Sequence, residues 1–75
     1  MSRPPTLSGR ECVKVLEKAD FYVACQKGSH ISLAREEPFA QVVVPDRKKL
    51  DRGTLRAIIR QSGLSVDEFI DLLNG

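Results

Sequence analysis

The chain has 75 residues, of which 41% are hydrophobic and 29% charged, and its formal net charge at pH 7 is +2. A chain this short buries only about 60% of its unfolded surface, which leaves one core and no room for a second domain. No apolar run approaches a membrane span, and two cysteines with one histidine are too few for a conventional zinc site, so the composition points to a cytoplasmic globular domain with no metal and no cofactor.

Residues 1–6 hold one arginine and two prolines with no apolar run behind them, and read as a flexible lead to a single domain at residues 7–75 rather than as a signal peptide. Ser8-Gly9-Arg10-Glu11 is a capping box, in which the serine oxygen takes an N–H three residues on while the glutamate reaches back. A helix should therefore start at Gly9, with Cys12, Leu16 and Ala19, flanked by Val13 and Val15, on its apolar face. Asp20 falls at the C′ position, where a left-handed backbone suits glycine better. From Phe21 the period changes to two: Phe21, Val23 and Cys25 alternate with Tyr22, Ala24 and Gln26, as in a half-buried strand. On this pattern Cys12 and Cys25 are both buried free thiols, with no CxxC pair between them.

A turn at Lys27-Gly28-Ser29 leads to a second strand at residues 30–35, where Ile31 and Leu33 share one face and His30, Ser32 and Ala34 the other. Glu36-Glu37-Pro38 reads as a loop, and residues 39–44 as a third strand that Pro45 closes. Between Asp46 and Arg60 stand six basic residues (Arg47, Lys48, Lys49, Arg52, Arg56, Arg60) against two acidic ones. Arg52, Arg56 and Arg60 recur every four residues, opposite Leu55, Ile58 and Ile59 on a helix that Gly63 ends. Such a stripe is either a solvated helix face or a track for phosphates, because neighbouring like charges cost energy unless an anion joins them. Ser65-Val66-Asp67-Glu68 opens a last, acidic helix with a second capping box, and Leu64 and Phe69 fit a hydrophobic staple.

The candidate site is Gln26-Lys27-Gly28-Ser29-His30, which holds the only histidine. Histidine is the side chain whose unperturbed pKa, roughly 6.5, lets it give and take protons near neutral pH. If Ile31 and Leu33 face the helices, His30 faces outward and is free to meet a substrate. A histidine after a turn is also what a residue that only stabilises the turn looks like.

The order helix, three strands, helix, helix carries two further marks. Gly28-Ser29-His30 starts the second strand, and Val44-Pro45-Asp46 is followed by the segment at residues 53–65. Together they resemble the HicA toxin family over residues 7–73. That resemblance implies an α+β fold like a double-stranded-RNA-binding domain, in the order α-β-β-β-α-α, with a three-stranded antiparallel sheet and helices on one face. It also implies mRNA cleavage, neutralisation by a HicB-type antitoxin, His30 as the catalytic residue, and Gly28 and Ser29 shaping its turn. Arg47 stands where many members carry a second histidine, and Asp20 where a glycine is usual. Arginine keeps a phosphate-binding charge but carries no exchangeable proton at relevant pH.

RNA supplies its own nucleophile in the 2′-OH. A cleaving protein has only to remove that proton, stabilise charge on the phosphate and protonate the leaving 5′ oxygen. His30 is the expected general acid/base, with Lys27 and the backbone N–H groups of the Gly28 turn on the phosphate. Arg47, Lys48, Lys49, Arg52 and Arg56 would hold the RNA backbone, which supplies affinity without sequence choice. A non-catalytic RNA-binding module of the same fold and a regulator of a partner protein are the alternatives.

Overall fold

The computed structural model describes residues 6–75; the expected lead lies outside them except for Thr6, which is exposed. The first helix, α1 (Gly9–Lys18), begins at the capping box, with the Ser8 hydroxyl accepting from the Glu11 N–H and the Glu11 carboxylate accepting from the Ser8 N–H. It ends as the sequence leads one to expect. Asp20 takes a φ of 72°, the Asp20 N–H donates to the Glu17 carbonyl, and the Phe21 N–H donates to the Leu16 carbonyl.

Three strands follow, β1 (Tyr22–Lys27), β2 (His30–Glu36) and β3 (Phe39–Pro45), paired antiparallel in the order β1-β2-β3. Glu36 belongs to β2, so the expected loop shrinks to Glu37 and a cis-linked Pro38. The last two elements are α2 (Arg52–Ser62), capped by Asp51 and ended by Gly63 at a φ of 80°, and α3 (Val66–Asn74), opened by the Ser65–Glu68 capping box. All three helices lie on one side of the sheet. Ile31 and Leu33 of β2 and Val42 and Val44 of β3 pack there against Cys12 and Leu16 of α1, Leu55, Ile58 and Ile59 of α2, and Phe69 of α3. The α-β-β-β-α-α order with helices on one face is the expected double-stranded-RNA-binding-domain-like arrangement.

The first strand departs from expectation. Phe21 is buried but precedes β1, and every residue of β1 is exposed, so the half-buried alternation of Phe21, Val23 and Cys25 is not found. There are two causes. The helices α1 and α2 pack over β3 and leave the β1 edge uncovered. A register shift between Val23 and Cys25 also reverses the parity: Val23 pairs with Leu33 on the helix side, whereas Cys25 pairs with Ser32 on the open side. Cys25 is therefore an exposed thiol, not a buried one. Cys12 is buried as expected, and the loss of water around it pushes its thiol up to about 12.

Candidate active site

The β1–β2 connection is a two-residue turn with Gly28 at a φ of 56° and Ser29 next to it, the glycine-first pattern of hairpin turns that follow the strand twist. The Gln26 side-chain amide donates to the Gly28 carbonyl at 3.2 Å and braces the turn. Lys27 and His30 are direct cross-strand partners, which puts both side chains on the sheet face that no helix covers. Both are exposed, and so are Gly28 and Ser29. Pro45 flanks His30 from β3 and completes the row.

Arg47 is carried to this end of the molecule by backbone bonds. The Asp46 N–H donates to the Ser29 carbonyl at 2.6 Å, and the Gly9 N–H donates to the Arg47 carbonyl at 2.8 Å. The segment after β3 is thus tied to the histidine turn on one side and to the start of α1 on the other. Arg10 adds a two-pronged grip on the Asp46 carboxylate, through Nη2 at 2.9 Å and Nε at 3.2 Å, and this hydrogen bond and charge raise the Arg10 pKa.

Lys48 and Lys49 are exposed in the bend that follows, and Leu50 anchors that bend in the core. Asp51 then caps α2, taking the Thr54 N–H at 2.7 Å and the Thr54 hydroxyl at 3.0 Å. These bonds, helped by the charge of Arg47, hold its carboxyl below the ordinary range. Both acids of the basic segment are therefore engaged, Asp46 by Arg10 and Asp51 by its own helix. Arg52 stands in the first turn of α2. Arg56 and Arg60, further along, line a cleft with Leu64, Ser65, Val66 and Asp67 between α2 and α3. The structure thus gathers Lys27, Gly28, Ser29, His30 and Arg47 at one end. It leaves Arg52 and Arg56 on the helix layer, across the sheet from His30.

Three contributors to this end escape a reading of the sequence. Arg10 and Asp46 are 36 positions apart, and no local pattern links them. Gly9, the first residue of α1, carries no local signal either, because the cost of glycine falls on helix interiors and a glycine at a helix start needs no special reason. What requires it is contact: a Cβ at Gly9 would collide with the Pro45 carbonyl.

A comparison with curated proteins finds no match for the chain. A family model described as HicA toxin of bacterial toxin-antitoxin matches residues 9–64, from the first residue of α1 to one past the glycine that ends α2. Three quarters of the sequence, with the turn, the histidine and the basic segment inside it, falls within that match, and the chain belongs to the HicA toxin family.

Proposed function

We propose that the protein is an endoribonuclease, an mRNA interferase whose cleavage is carried by His30 and held in check by a cognate HicB-type antitoxin. The observation that supports this reading most is the placement of His30. It is an exposed imidazole on the open sheet face, paired across the strand with Lys27 and next to a turn that is hydrogen-bonded to the Arg47 segment. In the proposed step His30 takes the proton of the 2′-OH, the 2′ oxygen bonds to phosphorus, and the bond from phosphorus to the 5′ oxygen breaks. The same proton then returns to the leaving oxygen, so the products end in a 2′,3′-cyclic phosphate and a 5′-OH. Lys27 and Arg47 stabilise the extra charge on the phosphate oxygens, and neither needs to change protonation state. General acid/base transfer of this kind contributes about 10²- to 10⁴-fold. A metal ion is not needed for these steps, so cleavage should persist in EDTA.

The test is His30→Ala, with cleavage rate and thermal unfolding measured on one sample. Cleavage should disappear while the unfolding midpoint stays close to that of the parent. Activity that falls only in step with the folded fraction would make His30 a turn residue and move the cleavage to other groups, whereas RNA binding without any cleavage by the parent would leave a non-catalytic RNA-binding module. Replacing the ribose at the cleaved bond by deoxyribose should also abolish cleavage, because the nucleophile is then gone.

A further inference from the structure

The open face of the sheet has a function to account for beyond His30. In register across it lie the row Lys27–His30–Pro45, then Cys25–Ser32–Val43, then Tyr22–Ala34–Gln41, and at the far end Glu36–Phe39. Tyr22, Val43 and Phe39 on this face are 46%, 48% and 69% exposed, and they are three of the four large hydrophobic side chains that the described residues leave in water. The Tyr22 hydroxyl donates to the Glu36 carboxylate at 2.5 Å, which fixes the ring in place.

We propose that this face is a stacking platform for unpaired RNA bases next to the cleaved bond, with Tyr22 and Phe39 as its rings; the inference rests on the ribonuclease reading above. Continuity with His30 selects the occupant. A strand whose phosphate sits at His30 has the tyrosine row about 13 Å away along β2 and the phenylalanine row about 20 Å away, at roughly 3.3 Å per strand residue. Both distances lie within reach of neighbouring nucleotides. The charge on the face is divided to suit such a strand. Lys27 stands at the end where the reacting phosphate is held, with the backbone of the Asp46–Arg47 segment bonded to the turn there, and Glu36 stands beside the rings, where base edges with amino groups to donate would come. Gln41, in the tyrosine row, offers a second polar group to a base edge. Aromatic platforms of this kind bind single strands with little regard to sequence, and they bind through the sheet rather than the helix layer.

Tyr22 is the only tyrosine and there is no tryptophan, so ultraviolet emission near 300 nm reports on this one ring. The experiment titrates the His30→Ala protein with an unstructured oligoribonucleotide. The emission should be quenched on binding; with affinity read from the anisotropy of a dye-labelled copy of the oligoribonucleotide, which needs no tyrosine, Tyr22→Leu and Phe39→Leu in the same background should each weaken it by roughly ten-fold. Tyr22→Phe, which keeps a ring, should stay within about two-fold of the parent. The slope of affinity against salt should not change in any of the three, because each keeps every cation that faces a phosphate. Salt-dependent RNA binding with no quenching and unchanged affinity in both leucine variants would overturn the platform and leave the ribonuclease reading standing. Loss of antitoxin binding alone in those variants would overturn it too, and would assign the face to a protein. A complete lack of RNA binding by the parent would remove both.

Discussion

Asp20 is held at a φ of 72°, a conformation in which any side chain crowds the following carbonyl and which glycine adopts freely. Its position closes α1, and both backbone bonds of that closure are made. Asp20→Gly should therefore stabilise the domain, by about 1 kcal/mol. In a chain of this length that raises the unfolding midpoint by roughly 4–8 °C, which a thermal melt would read directly. Gly9 is the opposite case, a glycine kept by contact rather than by conformation, since the Pro45 carbonyl occupies the place a Cβ would take. The two positions show how one residue type answers to different physics. The strain at Asp20 follows from where the helix pattern stops, and so it is visible in the sequence. The close approach at Gly9 depends on β3 returning past the start of α1, and only the folded chain shows it.

At the scale of elements, the helix ends are the most legible part of the fold because their chemistry is local. Ser8 with Glu11 and Ser65 with Glu68 form the boxes that their spacing announces, and Gly63 ends α2. The caps also carry a pH dependence whose sign is set by their carboxylates. Glu11 is held below its ordinary 4.5 chiefly by the Ser8 N–H, and Asp51 below its ordinary 3.8 chiefly by the Thr54 N–H. A carboxyl whose pKa is lower in the folded than in the unfolded chain adds stability that is complete above the unfolded value. That stability is lost as pH falls through the folded one. Stability against denaturant should thus fall from about pH 4.5 downward. Asp51→Asn with Glu11→Gln, which keep an oxygen for each capped backbone N–H but cannot titrate, should flatten that fall. Equal slopes in parent and variant would place the acid sensitivity elsewhere. The strand β1 was not legible in the same way. Its alternation of apolar residues is real, but burial needs a helix overhead and an unbroken register, and β1 has neither. The parity of His30 was legible because β2 is the central strand, where Ile31 and Leu33 have the core to face.

For the molecule as a whole, the net charge of +2 conceals a separation of sign. Lys27, Arg47, Lys48, Lys49 and Arg52 gather near the turn end and the start of α2, while Asp67, Glu68 and Asp71 lie on α3. Long-range attraction of a polyanion should therefore be directed at the site rather than spread over the surface. Lys48→Ala with Lys49→Ala and Arg52→Ala should weaken RNA binding and reduce its salt slope by about 0.7 for each single-strand phosphate that is no longer neutralised. The fold should survive, since all three side chains are exposed. An unchanged slope would send the RNA to another surface. The uncovered position of β1 bears on motion as well as on binding. A strand bonded along one edge only, with no helix behind it, can detach by breaking a single ladder, whereas β2 cannot leave without opening the core. Amide protons of Tyr22–Lys27 should then exchange with deuterium well before those of Ile31 and Leu33, and the half of the turn that bears Lys27 should breathe while the half that bears His30 stays anchored. Of the cross-strand pair proposed to meet the phosphate, the proton carrier His30 sits on the firm wall and the cation Lys27 on the hinged one.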